Sequence, residues 1–258
     1  MKPPVNAAGQ PMRERILLIG PEKSGKTHAH LSVAAMHQKT GSKATFFILD
    51  TDLAIERMLM PGGDFAGLSN IVYEEVSDWA ALTDATKRFR DKIKTGDFLV
   101  VDMMTQAWEY VQRFYIEQIY GMDAETYFLV KQKEAHDAGK KVMNFGEAIE
   151  WPIVNKLYYP WATSLISNPA HVFMVAGEKE LAARDREQMK DYIGQGVKPA
   201  AQKQTGHLAH TVLRVRSQKQ GEPRFNTIGD RGRPALAGEV IKNFALSYLV
   251  KVAGWGLK

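Results

Sequence analysis

Eight consecutive residues near the start of the chain, GPEKSGKT from Gly20 to Thr27, have the types and the spacing that hold a chain of phosphates. In the pattern G-x-x-x-x-G-K-T, glycines let successive backbone N–H groups turn toward phosphate oxygens, and a helix that begins at the loop adds a favourable dipole. Lys26 would reach the terminal phosphates, and the Thr27 hydroxyl would bind Mg²⁺. We therefore expect a nucleotide to contact Gly20, Pro21, Glu22, Lys23, Ser24, Gly25, Lys26, Thr27 and His28.

A magnesium ion at this loop needs a carboxylate as its second protein ligand, and Asp102 is the candidate. It ends the apolar run FLVVD (98–102), which is typical of a buried parallel strand. The carboxyl ends of parallel strands open into the crevice where α/β proteins bind ligands. The sequence therefore predicts a metal site formed by Thr27 and Asp102.

The residue that follows this carboxylate is Met103 and not an acid, so the group that activates an attacking water must come from elsewhere. Three acids follow the second apolar run of the chain. We favour Asp52 over Asp50 as this catalytic base, with Glu56 in reserve. The alternative role for the two aspartates is to cap a short helix predicted at 53–59, which Asp side chains do well.

Apolar runs alternate with amphipathic segments along the rest of the chain. Short apolar runs that end in Gly or Asp indicate buried strands, and apolar residues at three- and four-residue spacing indicate helices. Strands are predicted at 15–20, 44–50, 71–76, 98–102 and 171–177, helices at 25–39, 78–95, 105–120, 149–167 and 240–252, and an antiparallel hairpin at 211–217 and 224–228. This alternation predicts an α/β fold with a mostly parallel central sheet, flanking helices and an antiparallel edge hairpin.

The chain is predicted to form one domain over residues 15–258, preceded by a disordered N-terminal tail at 1–14. Two segments interrupt the alternation of strands and helices. Residues 121–150 are rich in charge and read as a solvated, partly helical insertion, and residues 179–208 are polar and rich in glycine, which is typical of a long mobile loop.

Composition narrows the classes of function that remain. The 258 residues carry a formal charge of +5 and include no cysteine, which excludes disulfides, thiolate metal sites and cysteine nucleophiles. No apolar run approaches the ~18 residues that span a bilayer, so we expect no membrane partner. The absence of cysteine is compatible with a reducing compartment, and we expect a cytoplasmic protein. Residues 179–233 hold twelve Lys or Arg against six Asp or Glu. This basic region favours an anionic partner, either DNA phosphates or the nucleotide of a neighbouring subunit.

Three segments in this order, ILLIGPEKSGKT, FFILDTD and FLVVDMMTQAWEY, resemble the core of RecA/KaiC-like ATPases. More narrowly, these segments are similar to those of the phage-encoded RecA-like ATPases that are associated with recombination and single-strand annealing. Later segments add to the resemblance, at 151–167 with HVFMVAGEKE, at 203–216 and at 224–234. The resemblance implies a RecA-like P-loop fold, hydrolysis of ATP with Mg²⁺, a homo-oligomeric ring or filament, single-stranded DNA as the nucleic-acid partner, a recombination protein partner and the host cytoplasm as location.

The resemblance also implies roles for individual residues. Asp52 matches the acid that activates water, although the family usually has Glu there. Glu178 occupies the position of a polar sensor of the γ-phosphate. Arg231 or Arg233 matches the arginine finger that reaches the nucleotide of a neighbouring subunit. The simpler interpretation of the segment that holds both arginines is a basic turn beside the edge hairpin.

Two other functions stay open. A nucleotide-gated binding module would bind ATP, hydrolyse little of it and recruit a DNA-processing partner; the shorter Asp52 and the absence of the lysine that usually accompanies the finger favour this reading. A small-molecule P-loop kinase would need an arginine lid, for which Arg184 and Arg186 are available. The ordered motifs favour the ATPase.

Several aromatic and histidine residues have a structural and a functional interpretation. Tyr158, Tyr159 and Trp161 could stack on bases of DNA, but their helical spacing favours positions in the core. His28 and His30 follow the phosphate loop and supply too few ligands for a metal site of their own, so we expect them to pack or to face solvent.

Overall fold

Strands and helices alternate along the chain. The computed structural model describes residues 13–140, 150–187, 189–217, 222–233, 238 and 240–241. The strands are β1 (Arg15–Ile19), β2 (Phe46–Asp50), β3 (Ile71–Glu75), β4 (Phe98–Asp102), β5 (His171–Ala176), β6 (Glu178–Glu180), β7 (Val197–Pro199), β8 (Thr211–Ser217), β9 (Pro223–Asp230) and β10 (Val240–Ile241). The helices are α1 (Lys26–Lys39), α2 (Ile55–Leu59), α3 (Trp79–Lys92), α4 (Met104–Tyr120), α5 (Ala124–Asp137), α6 (Trp151–Ser167) and α7 (Thr205–Leu208).

Among the described residues, the central sheet has eight strands in the order β10-β9-β8-β1-β5-β4-β2-β3. The six strands from β8 to β3 run parallel, whereas β9 is antiparallel to β8 and β10 is antiparallel to β9. Strands β6 and β7 form a separate antiparallel pair. The predicted α/β architecture, a mostly parallel sheet with flanking helices and antiparallel strands at one edge, is confirmed.

Helices cover both faces of the sheet, which explains why its central strands are apolar throughout. In β1, Leu17 and Ile19 pack in one apolar cluster with residues of α3, α4 and α6. Ile16 and Leu18 point to the other face and pack with residues of α1. A strand that is covered on both sides has no solvent face to fill with polar residues.

Local signals explain where several helices begin and end. The Asp78 carboxylate caps α3 by accepting the Ala81 N–H at 2.8 Å, and Gly121 ends α4 with a left-handed φ of 66°. Within the described ranges, no helix combines the length and the apolar character needed to cross a bilayer.

The segment predicted as a mobile loop, residues 179–208, contains regular structure. It holds strand β7 and helix α7, and two short 3₁₀ turns lie between β6 and β7. Leu181, Met189 and Tyr192 are buried in the main apolar cluster, and Lys198 forms an ion pair with Asp185. Its elements are three to six residues long and show no periodicity, so no sequence pattern predicts that they pack.

The two ends of the chain and the charged segment 121–150 are described only in part. In the segment 121–150, α5 supplies the predicted helical part, and residues 141–149 lie outside the described residues. Of the predicted tail at 1–14, residues 1–12 lie outside the described residues, whereas Glu14 is buried beside β1. The helix predicted at 240–252 is wrong at its start, because Val240 and Ile241 pair with β9 as a strand; the rest of it lies outside the described residues.

Candidate active site

The phosphate-loop motif connects the carboxyl end of β1 to the first turn of α1. Its two glycines are required by space and by conformation. A Cβ on Gly20 would lie 2.5 Å from the carbonyl oxygen of Val215, and Gly25 has a φ of 96° where it precedes α1. A Cβ on Gly25 would lie 3.1 Å from Pro223, so the start of β9 lies against the loop.

The Lys26 ammonium lies inside this loop. Its Nζ donates to the carbonyl oxygens of Gly20 at 3.0 Å and Pro21 at 2.6 Å, and the side chain is buried. Desolvation lowers the pKa of Lys26, and four acids oppose the shift: Asp102, Asp52, Glu178 and Glu22. The carboxylates that the sequence predicts for the metal, the base and the sensor therefore converge on one ammonium group.

Asp102 ends β4 and is fully buried. Its Oδ2 lies 2.9 Å from Nε2 of His30 on α1, while its Oδ1 has no hydrogen-bond partner among the described residues. A buried carboxylate oxygen without a partner is costly unless a donor or a cation reaches it. Thr27 lies in the first turn of α1 and Asp102 at the carboxyl end of β4, and both carry oxygen atoms, the ligand type that Mg²⁺ prefers.

These residues fit an ion that is bound together with a nucleotide. No group of three or more His, Asp or Glu side chains in the described part of the chain could hold a metal by itself. Mg²⁺ usually binds one or two protein groups and completes its shell with phosphates and water. The donor set of Thr27 and Asp102 has this character.

The two aspartates after β2 have different environments. Asp50 is buried, and its carboxylate accepts the N–H groups of Ala54 at 3.3 Å and Ile55 at 3.0 Å, so it caps α2. Asp52 follows β2 by two residues and is exposed, as is Glu56 on α2. Partial desolvation of Asp52, with the nearby charges of Asp102 and Asp50, raises its pKa to about 7. The capping role therefore falls to Asp50, and Asp52 is available as a base near neutral pH.

Glu178, the predicted sensor, starts β6 and is bound by an arginine. Arg214 of β8 donates from Nε to Oε2 at 2.8 Å and from Nη2 to Oε1 at 2.7 Å. Its Nη1 donates to the carbonyl of Gln195 at 3.0 Å, and the guanidinium is buried. Because Arg214 pairs in register with Ile19, this ion pair lies at the same end of the sheet as the phosphate loop. Arg214 offsets the negative charge that Glu178 would present to a phosphate.

The two finger candidates lie at the opposite end of the sheet. Asp230 pairs with Thr211, and Thr211 pairs with Ile16 at the start of β1, so the residues after Asp230 are one strand length, ~15 Å, from the phosphate loop. Arg231 and Arg233 therefore lie at the end of the sheet opposite to the phosphate loop of their own chain.

Only one of the two arginines is exposed at this end. Arg233 donates to both carboxylate oxygens of Glu14, at 3.1 and 2.9 Å, and to Asp230 at 2.8 Å. Arg231 is exposed and donates from Nη2 to the carbonyl of His207 at 2.8 Å. Arg233 thus joins the N-terminal strand to the hairpin, and Arg231 is the better-exposed candidate.

A cleft of about 260 Å³ lies beside Arg231, and Lys203, His207 and His210 also line it. Arg15, next to it, makes no hydrogen bond or ion pair with its side chain among the described residues. Desolvation and the charges of Arg13 and Arg231 lower its pKa, and Arg15 and Arg231 help to lower the pKa of His210. We call this group the basic cluster, because it has an excess of positive charge; it consists of Arg15, Lys203, His207, His210 and Arg231.

The aromatic residues of α6 and the two histidines in the first turns of α1 are buried or half-buried. Tyr158 and Trp161 belong to the buried apolar cluster, and Tyr159 is half-buried, with its hydroxyl accepting a hydrogen bond from Gln202 at 2.7 Å. His28 is half-buried and packs its ring against Phe65, so the packing prediction is confirmed. His30 is buried, but sequence reasoning missed its contact with Asp102.

Of the residues considered for a kinase lid, Arg186 is exposed, and the side chain of Arg184 lies outside the described residues. Comparison of the chain with known protein families and with curated proteins finds no match.

Proposed function

We propose that this chain is a Mg²⁺-dependent, RecA-like P-loop ATPase that acts on DNA, in phage recombination or single-strand annealing. The observation that carries the proposal is that the loop around Lys26, the buried carboxylate of Asp102 and the carboxyl of Asp52 lie at one end of the sheet. The pKa of Asp52 is raised there to about 7. The order of the motifs along the chain supports the RecA-like assignment.

Each residue has a defined task in this proposal. The loop N–H groups and Lys26 bind the β- and γ-phosphates, and Thr27 and Asp102 hold Mg²⁺. When bound, Mg²⁺ supplies positive charge that offsets the charge on the phosphates. A water oxygen attacks the γ-phosphorus, the bond to the β,γ-bridging oxygen breaks, and Asp52 accepts the proton that the water loses. The products are ADP and inorganic phosphate.

The basic cluster supports the part of the proposal that concerns DNA. The charge of Arg231 helps to lower the pKa of both Arg15 and His210, and the acids beside them, Glu14 and Asp230, are bound by Arg233. Phosphates of single-stranded DNA would relieve this repulsion, and their binding would weaken steeply with added salt.

The position of Arg231 supports assembly into a homo-oligomer, as a ring or a filament. A guanidinium that lies a strand length away from its own phosphate loop can stabilise a transition state only in another subunit. Turnover would then depend on the assembled state.

A second candidate is the nucleotide-gated binding module that recruits a recombination partner. The carboxyl of Asp52 favours it, because with a pKa of about 7 a large share of this group is protonated at neutral pH and cannot accept a proton. Tight binding of ATP with little turnover would be its signature.

One experiment separates these functions: ATP turnover measured across a range of single-stranded DNA concentrations, with mass determination in the presence and absence of nucleotide. The ATPase predicts turnover that rises with DNA and a mass that rises with ATP. Binding without turnover, with or without DNA, would favour the binding module. A chain that binds no ATP in the presence of Mg²⁺ would contradict both.

A further inference from the structure

A histidine one turn into α1 holds the carboxylate assigned to the metal. Nε2 of His30 lies 2.9 Å from Oδ2 of Asp102, and both side chains are fully buried. We infer that His30 is a positioning residue for the metal site: it fixes Asp102 through Oδ2 and leaves Oδ1 for the ion. This inference rests on the proposed function, because it assigns a role to a residue behind the magnesium ligand.

The hydrogen bonds of His30 and Asp102 support separate roles for the two carboxylate oxygens. Asp102 Oδ1 is buried and has no partner among the described residues, and the same holds for His30 Nδ1. An N–H at Nε2 satisfies the carboxylate and leaves Nδ1 as a bare acceptor, whereas an N–H at Nδ1 would be buried without an acceptor. The neutral tautomer with its proton on Nε2 therefore fits the contacts, and Oδ1 is the oxygen left to bind a cation.

The sequence spacing links both metal ligands to one helix. Thr27 and His30 are three residues apart on α1, so they share a face of the helix and lie one turn apart. The hydroxyl ligand and the group that anchors the carboxylate ligand thus move together. His30 reaches β4 from a helix that follows β1, although β5 lies between these two strands in the sheet. A partner behind a metal ligand commonly changes metal affinity 10- to 100-fold when it is removed.

A purely structural role for this hydrogen bond makes a different prediction. Removing a buried hydrogen bond lowers stability wherever it lies, but only a positioning role alters the affinity for the ion at unchanged nucleotide affinity. His37 provides the matched control, because it is a second buried histidine of α1 that contacts Phe46 and Phe98 and does not contact Asp102.

The test measures the affinity of the full chain for Mn²⁺ in the presence of ADP, with the free ion detected by electron paramagnetic resonance. The affinity for ADP is measured separately in EDTA. The variants are His30→Leu, which removes the donor, His30→Gln, whose amide can donate from a similar position, and His37→Leu. We expect His30→Leu to weaken Mn²⁺ binding by at least about tenfold with ADP affinity in EDTA within about twofold. We expect His30→Gln to recover most of the affinity and His37→Leu to leave it unchanged.

Equal Mn²⁺ affinity in the wild type and in His30→Leu would overturn the inference and leave the proposed function standing. A loss of the same size in His37→Leu would also overturn it, because the effect would then be one of helix stability. If His30→Leu does not fold, His30→Met removes the donor with a more adaptable side chain and is measured in its place. A wild-type chain that binds neither ADP nor ADP with Mn²⁺ would instead refute the proposed function, and with it any role for His30 in a metal site.

Discussion

Thr51 and Met103 exchange two hydrogen bonds across the carboxyl ends of β2 and β4. Thr51 Oγ1 donates to the Met103 carbonyl at 2.9 Å and accepts the Met103 N–H, and the Thr51 N–H donates to the Asp102 carbonyl at 2.7 Å. The hydroxyl of Tyr110 on α4 donates to the Thr51 carbonyl at 2.9 Å. The backbone that carries the candidate base, Asp52, is therefore tied directly to the backbone of the candidate metal ligand, which is how a site keeps its geometry.

Replacing Lys26 tests the phosphate loop. We expect Lys26→Ala to lower ATP turnover by at least about 100-fold, because in the proposed function the Lys26 ammonium stabilises the charge that develops on the phosphates. Lys39→Ala, at the exposed far end of the same helix, is the control and should leave turnover unchanged. Full activity in Lys26→Ala, measured by phosphate release, would refute the assignment of the loop.

The two arginines at the other end of the sheet should respond differently to replacement. We expect Arg231→Ala to lower DNA- or assembly-dependent hydrolysis by about 1000-fold with ATP binding retained, the usual effect of losing a finger. Loss of ATP binding by isolated Arg231→Ala monomers would indicate a structural role for Arg231.

Arg233→Ala should instead lower the free energy of unfolding by about 2 kcal/mol, because Glu14 and Asp230 lose the guanidinium that pairs with them.

The raised pKa of Asp52 predicts a pH dependence of stability in the chain without metal. A folded-state pKa of about 7 exceeds the unfolded value of ~3.9, so folding takes up a proton between these values and stability falls as the pH rises from about 4 to about 7. We expect Asp52→Asn to remove this part of the slope in urea unfolding measured in EDTA. Parallel curves for the wild type and the variant across this range would contradict the shift.

The ion pair between Arg214 and Glu178 can be tested by a double replacement. Arg214→Leu should lower the free energy of unfolding by about 3 kcal/mol, since it leaves a mostly buried carboxylate without its partner, and it should weaken ATP binding by exposing phosphate to that charge. Adding Glu178→Leu should restore most of the stability. Equal stability of the single and double variants in urea unfolding would show that the two groups are not coupled.

Much of the fold could be predicted because its strands are covered on both faces. Burial on two sides demands an unbroken apolar run, and the predicted strand at 98–102 has the same bounds as β4. The strand at Val240 and Ile241 could not be predicted because two apolar β-branched residues, with further apolar residues at 244–246, fit either a short strand or a helix.

The candidate site could be predicted less completely. The loop around Lys26 was found because consecutive residues define it. The contact between His30 and Asp102 joins residues far apart in sequence, and the pairing of Glu178 with Arg214 depends on which strands are neighbours. The spacing of His30 three residues after Thr27 was the one signal available, and a histidine on an apolar helix is compatible with many partners.

The strand length that separates Arg231 from the phosphate loop restricts the symmetry of any assembly in which Arg231 serves a neighbour. Subunits must then meet with opposite ends of their sheets together, either stacked head to tail or side by side in reversed orientation. In an open stack, the phosphate loop of the subunit at one end receives no Arg231 from a neighbour, and Arg231 of the subunit at the other end has no neighbouring loop to reach. Activity per subunit therefore rises with the length of the stack. A closed ring, or a reversed pair, has no such ends, and its activity per subunit does not change once it has formed.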